Sequence, residues 1–348
     1  MEQKILKAEV LITRRCNLKC SYCKVIKKEV DEMSVEQWAK AFEIIYNKLG
    51  ASFIAIYGGE PTMLGKKKLL DIIDILNTYK KDGKSYTIIS NSVLLDDNYI
   101  KELIEHNLDS WTASVDCISE AKDYADGDAF KKTQCGLEAL KKLRAGGVRD
   151  VCGIITVHRK NIQHIPLTIK YLTQHGIWAG MDVIHYDKGG CNFSSPKDSM
   201  SDLLFTRADM PLIRSVADEL LKMYDTHKIF PTPKILQMWK DPRYIVDLGW
   251  KCGDVYCITV DADGSLMECD EFQGTNMTKL KYNIFDLGKE DSWETFKERY
   301  MEDVAMECRG CFWCTHVMAE DIIRNKEGIE YYQHKKEDFK EVRTGGIC

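Results

Sequence analysis

The sequence contains no long hydrophobic run, no block of lysine or arginine, and little histidine or proline. Of its 348 residues, 8 are histidine and 7 are proline. No apolar stretch approaches the roughly 20 residues that a membrane-crossing helix requires. The opening residues, MEQKILKAEVLITRRC, lack the order of basic, apolar and small residues that is typical of a signal peptide. With a net charge of -5, the chain has no broad basic surface for nucleic acid. We therefore expect a cytoplasmic protein with neither a membrane nor a nucleic-acid partner.

Cysteine is plentiful, with fourteen residues in the chain. Nine of them fall in three groups, at residues 16–23, 252–269 and 308–314. In a long chain of the reducing cytosol, clustered thiols indicate iron–sulfur or zinc binding rather than disulfides. The histidines show no metal-binding spacing, and neither a phosphate-binding loop nor a nucleophile elbow is present.

Short β-rich apolar runs alternate with amphipathic stretches along the first two thirds of the chain. The patterns predict strands at residues 8–13, 53–57, 86–90, 110–116, 151–157 and 178–186, and helices at 34–49, 67–80, 98–106, 129–145, 162–175 and 210–227. Six strand–helix units predict a parallel α/β sheet, either open or curled, with too few strands for a closed eight-stranded barrel. Residues 228–250 look like a connector, and the segment VYCITVDADGSLMECDEF predicts a hairpin.

The first cysteine group has the spacing C-x3-C-x2-C at Cys16, Cys20 and Cys23. It follows the first predicted strand, at the sheet edge where parallel α/β folds carry their chemistry. Three thiolates cannot complete a tetrahedral zinc site without a fourth ligand. A [4Fe–4S] cube held by three cysteines instead leaves one iron open to another ligand. The alternative is a structural metal knuckle.

With aromatic Tyr22 before its last cysteine, this loop resembles the signature of the radical S-adenosylmethionine (SAM) superfamily. The resemblance implies that the open iron binds the amino and carboxylate groups of SAM. An electron from an external flavodoxin- or ferredoxin-type reductant then cleaves SAM. The resulting 5′-deoxyadenosyl radical abstracts a substrate hydrogen. The family fold implied is a partial (β/α)6 TIM-like barrel, here over residues 1–228, in an oxidoreductase or maturase.

Three further motifs resemble SAM-binding segments of that family. The turn YGGEPTM resembles its GGEP motif, ISNSVLL resembles its Ser/Thr-Asn-Gly motif with Ser92 in place of glycine, and ASVD ends the fourth predicted strand. Simple turns and a helix cap are the alternative explanations. The cofactor-binding residues that the resemblance implies are Tyr22, Gly58, Gly59, Glu60, Pro61, Ser90, Asn91, Ser114 and Asp116.

The downstream cysteines resemble the auxiliary-cluster segment of the SPASM and Twitch subfamilies. Cys252 and Cys269 flank Gly264 in the spacing C-x11-G-x4-C. The resemblance implies one auxiliary [4Fe–4S] cluster in a C-terminal SPASM/Twitch-like domain over residues 229–348. A zinc ribbon is the alternative. The candidate metal ligands here are Cys252, Cys257, Cys269, Cys308, Cys311 and Cys314, and the choice among them stays open.

Three residues are candidates for completing the reaction. Asp270 follows Cys269 directly, and in sulfatase-maturing relatives an aspartate at that place is the general base. Cys117 and Cys191 lie near the carboxyl ends of predicted strands, where a thiol can return a hydrogen atom to a substrate radical. The alternatives are a solvated hairpin carboxylate and two small buried hydrophobes.

The family resemblance favours modification of a peptide or protein side chain by oxidation, cross-linking or epimerisation. A dehydrogenase or epimerase acting on a small metabolite, such as a sugar or nucleoside, is the second hypothesis. A non-catalytic iron–sulfur electron carrier is a third, from another class of protein.

Overall fold

Six strands alternate with helices in the first half of the chain, as the hydrophobic pattern predicts. They are β1 (Lys7–Thr13), β2 (Phe53–Gly58), β3 (Ser85–Ser90), β4 (Ser110–Ser114), β5 (Asp150–Val157) and β6 (Trp178–Val183). The computed structural model describes residues 4–23, 25, 29–116, 118, 127–186, 201–267, 282–289 and 292–325.

The helices that connect and follow these strands cover their apolar faces. They are α1 (Val35–Glu43), α2 (Lys66–Asn77), α3 (Asp97–Glu105), α4 (Gly127–Ala145), α5 (Ile165–Gln174) and α6 (Met210–Met223). Ser34 begins α1 through a reciprocal capping box with Gln37, as the sequence indicates. The single helix predicted over residues 34–49 is instead α1 followed by a π-helical segment, Ile44–Lys48.

The strands form one sheet in the order β6-β5-β4-β3-β2-β1, and each neighbouring pair is parallel. Successive strands are therefore spatial neighbours, as βαβ units require. In the described ranges β6 and β1 are not paired, so the sheet does not close on itself. The expected partial α/β barrel is confirmed.

The predicted hairpin is present and extends the same sheet. Strand β7 (Cys257–Val260) pairs antiparallel with β8 (Leu266–Met267) and parallel with β1. The register places Lys7 beside Cys257 and Val10 beside Val260. The sheet thus continues across the predicted domain boundary at residue 228, and the boundary itself stays a prediction.

The interpretation of residues 228–250 as a plain connector needs correction. This segment contains two short helices, α7 (Pro233–Met238) and α8 (Pro242–Ile245). Each begins with proline, whose fixed φ and missing N–H suit the first helical position. Two later helices complete the described fold, α9 (Ser292–Glu307) and α10 (Cys314–Asn325).

The two faces of β1 differ in chemistry. Ala8, Val10 and Ile12 belong to the main apolar core. Lys7 and Glu9 alternate with them, and their buried charged groups lie 2.5 Å apart on the other face.

No helix in the described part of the chain is both long and apolar enough to cross a bilayer.

Candidate active site

The three cysteines of the N-terminal loop follow β1 directly, and their side chains are half-buried. The amide of Leu18 donates a hydrogen bond to Sγ of Cys16 at 3.4 Å. The amide of Cys23 donates to the carbonyl oxygen of Cys20 at 3.2 Å. These bonds hold the loop backbone, so one short segment presents three thiols at the carboxyl edge of the sheet.

The donor set of this loop fits a [4Fe–4S] cube. Cys20 interacts electrostatically with Cys16 and Cys23, so the three sulfurs are close neighbours; burial is the main reason that the pKa of Cys20 is raised to about 11. Within the described ranges, no three His, Cys, Asp or Glu side chains converge on a single metal ion. A cube does not need that convergence, because its cysteines bind different iron atoms.

The Gly58–Gly59 turn approaches the cysteine loop closely. The amide of Gly59 donates to the carbonyl oxygen of Thr13 at 2.7 Å, and the amide of Glu60 donates to that of Arg15 at 2.8 Å. A Cβ at Gly59 would lie 2.2 Å from the carbonyl oxygen of Arg15. The family resemblance implies that Gly58 and Gly59 bind the cofactor. The contact that the structure describes is with the backbone leading into the cluster loop, which the missing side chains allow to come close.

Glu60 joins the ends of β2 and β3. Its side chain is 1% exposed. Oε1 accepts hydrogen bonds from the backbone and hydroxyl of Thr62 and from the hydroxyl of Ser90, at 2.7–3.0 Å. Oε2 accepts from the amide of Asn91 at 2.7 Å. Burial raises the pKa of Glu60 despite these donors. Through these contacts Glu60 links the turn after β2 to the end of β3. Its predicted contact with SAM stays a prediction.

The motif after β3 is tied to the cysteine loop. Nδ2 of Asn91 donates to Oδ1 of Asn17 at 2.8 Å. Ser92, which stands where the family motif has glycine, has a φ of 59°. Glycine enters this left-handed region at less cost than any other residue, so Ser92 holds a conformation that would suit glycine. Its hydroxyl accepts a hydrogen bond from the Trp111 indole at 3.1 Å.

The other predicted cofactor residues lie on neighbouring elements at the same edge. Pro61 begins a 3-10 turn, Pro61–Leu64, directly after Glu60. Ser114 is the half-buried last residue of β4. Its carbonyl oxygen would lie 2.8 Å from a Cβ placed at Gly136, so α4 packs closely over the end of this strand.

Asp116 forms a buried ion pair that sequence analysis missed. Its Oδ2 lies 2.6 Å from Nζ of Lys132, and the two side chains are 3% and 5% exposed. The hydroxyl of Tyr22 hydrogen-bonds to both groups. Burial alone would raise the pKa of Asp116, but the Lys132 ammonium together with hydrogen bonds from Tyr22 and the Thr156 amide lowers it. The signal available in the sequence was that Lys132 falls on the stripe of α4 shared by Gly136 and Leu140.

His158 is a second buried group near this loop. Its ring centroid lies 6.4 Å from that of Tyr22. The backbone amide of Lys160 donates to Nδ1 at 3.2 Å, so the neutral ring carries its hydrogen on Nε2. Burial lowers the pKa of His158 to about 4. The residue follows β5, where the sequence presents it as an ordinary loop residue.

The C-terminal hairpin contacts the entrance to the cluster loop through Arg14 and Asp261. Nε and Nη2 of the arginine donate to the aspartate carboxylate at 2.7–3.1 Å, and both residues are buried. Arg14 stands two residues before Cys16 and Asp261 one residue after β7. Their bidentate pairing joins the two segments beyond the β1–β7 strand pairing.

The described downstream cysteines gather around the start of α10. Cys314 opens this helix, and its amide donates to Oδ1 of Asp182 on β6 at 3.0 Å. Its thiol and that of Cys257 both interact electrostatically with the Lys7 ammonium. Sγ of Cys252 lies 3.9 Å from Nδ1 of His316, which is in the first turn of the helix.

The C-x2-C turn of the same region is also ordered by backbone bonds. Cys311 exchanges two hydrogen bonds with Trp250, at 2.9 and 3.0 Å. The amide of Gly310 donates to Sγ of Cys308 at 3.3 Å.

Four predicted site residues lie outside the described residues: Cys117, Cys191, Cys269 and Asp270.

Sequence comparison agrees with this geometry. Residues 10–172 match the family model of the Radical SAM superfamily. The Fe-coproporphyrin III synthase of Methanosarcina barkeri is 30% identical over 172 residues, 48% of this chain and 40% of that protein. A GTP 3',8-cyclase of Clostridium botulinum is 33% identical over 150 residues, 41% of this chain and 43% of that protein. The chain thus spans about two fifths of the length of these two relatives.

Solved structures share the fold. Streptococcus suis SuiB bound to S-adenosylmethionine superposes with a TM-score of 0.57 at 15% identity, covering 84% of this chain and 65% of that one. The anSMEcpe enzyme with bound AdoMet gives a TM-score of 0.57 at 16% identity, covering 94% of this chain and 99% of that one.

An open α/β barrel with a three-cysteine loop beyond its first strand defines a class of iron–sulfur proteins that bind a ligand at the vacant iron. Residues 10–172, just under half of the chain, carry a Radical SAM domain. Enzymes of this superfamily use a [4Fe–4S] cluster together with SAM.

Proposed function

We propose that this chain reductively cleaves SAM and uses the resulting radical to modify a side chain of a peptide or protein. The observation that carries the proposal is the joining of the cysteine loop to two neighbouring motifs. Gly59 and Glu60 bond to the backbone of Thr13 and Arg15, and Asn91 bonds to Asn17. Motifs from three successive strands therefore meet at one edge of the sheet.

In this proposal Cys16, Cys20 and Cys23 hold the cluster. When bound, the cluster and SAM together supply a 5′-deoxyadenosyl radical after one electron arrives from a flavodoxin- or ferredoxin-type protein. The protein's own part is to position these groups. Glu60 holds the ends of β2 and β3 together, and Asn91 fixes the loop through Asn17.

The peptide substrate is supported by the structures that share the fold. SuiB also superposes in its complex with precursor peptide SuiA, with a TM-score of 0.57 over 84% of this chain. The anSMEcpe enzyme superposes in its complex with AdoMet and the Cp18Cys peptide over 95% of this chain. A small metabolite is the second candidate, because the curated relatives with 30% and 33% identity are named a synthase and a cyclase.

We further propose one auxiliary [4Fe–4S] cluster near the start of α10. Its support is the gathering there of Cys252, Cys257, Cys311 and Cys314 by contacts with His316, Lys7, Trp250 and Asp182. Cysteine thiolates are the usual ligands of such clusters. Cys269 and Asp270 retain the roles proposed from the sequence, as a ligand and a general base.

Anaerobic reconstitution tests the proposal directly. We expect about eight iron atoms per chain for two cubes and release of 5′-deoxyadenosine from SAM on reduction. The matched control replaces Cys16, Cys20 and Cys23 together with alanine, which should leave about four irons and abolish SAM cleavage. An electron carrier would bind iron but release no 5′-deoxyadenosine. A zinc ribbon would hold about four irons plus zinc.

Substrate class is separated by incubation in deuterated water with candidate peptides and metabolites. Deuterium at a peptide Cα indicates epimerisation, and loss of two hydrogens indicates oxidation or cross-linking. If the chain converts a metabolite but none of the tested peptides, the peptide assignment is wrong and a small-metabolite substrate is favoured.

A further inference from the structure

A buried lysine lies beneath the cysteine loop. Lys132 is on α4, its side chain is 5% exposed, and its Nζ is 2.6 Å from Oδ2 of Asp116. Isolated charges are costly to bury, so such a lysine must be compensated. Asp116 supplies the opposite charge and is itself fixed by the backbone amide of Thr156, which donates to Oδ1 at 3.2 Å.

The ammonium also contacts the loop itself. Nζ of Lys132 donates a hydrogen bond to the hydroxyl of Tyr22 and lies 4.6 Å from the centroid of its ring. Tyr22 stands between Cys20 and Cys23, so the lysine is anchored on the residue that separates two cluster ligands. The helix brings it there because Gly136, one turn along, lets α4 approach the end of β4.

Both members of the ion pair contact the loop through the Tyr22 hydroxyl. The Lys132 ammonium also lies 4.6 Å from the centroid of the Tyr22 ring, whereas the Asp116 carboxylate is shared with the Thr156 amide behind it. Burial would lower the pKa of Lys132, but the Asp116 carboxylate together with neighbouring groups holds that pKa well above its ordinary value. The charge that lies over the aromatic ring of the loop is therefore the cation.

We propose that Lys132 raises the reduction potential of the cluster bound by Cys16, Cys20 and Cys23, with Asp116 as the opposing charge. The inference rests on the proposed cluster. Reduction adds one electron from the external flavodoxin- or ferredoxin-type protein, which is oxidised by one electron, and no covalent bond forms or breaks. A fixed cation stabilises the additional negative charge, so it favours electron uptake.

The test is the midpoint potential of the reconstituted cluster, measured without SAM by redox titration monitored by electron paramagnetic resonance. We expect Lys132→Met to shift the potential downward and Asp116→Asn to shift it upward. The double variant should fall between the two single variants. Lys132→Arg, which keeps the charge, should retain a potential close to that of the wild type.

Lys141→Met is the matched control. Lys141 lies on the same helix, donates to the hydroxyl of Tyr171 and lies 4.8 Å from the centroid of that ring. Its tyrosine belongs to α5 and not to the cysteine loop, so the potential should not change.

Equal potentials in all variants, or shifts of the same sign for Lys132→Met and Asp116→Asn, would overturn the inference. If Lys132→Met binds no iron, the Asp116→Asn and Lys132→Arg results decide it. Two other results would instead refute the proposed function. The wild-type chain could form no [4Fe–4S] cluster, or the triple cysteine variant could bind as much iron as the wild type.

Discussion

The guanidinium of Arg14 and the carboxylate of Asp261 form a buried bidentate ion pair across 247 positions of sequence. One partner leads into the cysteine loop and the other leaves β7, the strand that pairs with β1. The geometry of the N-terminal loop therefore depends on the C-terminal third of the chain.

Arg14→Met should destabilise the protein by about 3–5 kcal/mol, because it leaves the Asp261 carboxylate buried without its cation. Denaturant unfolding under anaerobic conditions measures the change. Arg15→Met is the control: its partner is Glu32, its side chain is 52% exposed, and its loss should cost within about 1 kcal/mol. Equal costs for the two variants would show that the buried pair is not special.

Gly59→Ala should cost about 3 kcal/mol or more and lower iron incorporation, because the new methyl group would meet the carbonyl oxygen of Arg15 at 2.2 Å. The backbone on both sides has no flexible end that can move aside. Iron content and unfolding free energy are the measurements.

Gly83→Ala provides the comparison for that variant. Gly83 has a φ of +74° but nothing lies within 4 Å of its Cβ position. Its substitution should cost about 1–2 kcal/mol from backbone strain alone and leave iron content unchanged. Iron loss in the Gly83 variant, or full iron content in the Gly59 variant, would contradict the steric explanation.

Stability should fall on acidification through His158. Its native pKa of about 4 lies below the ordinary 6.5, so between these values the unfolded chain binds a proton that the native chain does not. The contribution is complete above pH 6.5 and is lost as pH falls toward 4, by about 2 kcal/mol at pH 5.

His158→Asn tests this pH dependence, since its side-chain oxygen can still accept the Lys160 amide. The difference in unfolding free energy between wild type and variant should change across pH 5–8. A constant difference over that interval would show that His158 does not titrate as its burial requires.

Glu60→Gln should destabilise the chain by about 1–3 kcal/mol, because an amide nitrogen would face donors that now bond to a carboxylate. Unfolding free energy and SAM affinity, by equilibrium dialysis, are measured together. Thr62→Ser, which keeps the hydroxyl donor, is the control. If the Glu60→Gln variant is as stable as the wild type but does not bind SAM, the carboxylate binds the cofactor and does not stabilise the fold.

The local pattern was enough to predict the six parallel strands, because each combines a short apolar run with a following amphipathic helix. The capping box at Ser34 and the hairpin around Gly264 were likewise local signals. The pairing of β7 with β1 was not predictable in this way, because registers between distant segments leave no mark in either segment alone.

The residues of the candidate site also fall into a group that could be predicted from one segment and a group that could not. The cysteine spacing and the GGEP turn are contiguous in sequence, so they could be recognised from a single segment. Lys132 and Arg14 acquire their roles only from partners brought close by the fold, Asp116 and Asp261 respectively. A lone basic residue in a helix or after a strand carries no such information by itself.

The position of β7 also bears on how the protein emerges from the ribosome. Until residues 257–260 have been synthesised, β1 lacks one of its two neighbours and presents an open row of amides and carbonyls. Long-range pairing of this kind forms late and slowly, leaving a nascent edge that is prone to aggregation. Expression at low temperature or with chaperones should therefore raise the soluble yield of this chain. The increase should be smaller for a circular permutant in which β7 is synthesised before β1.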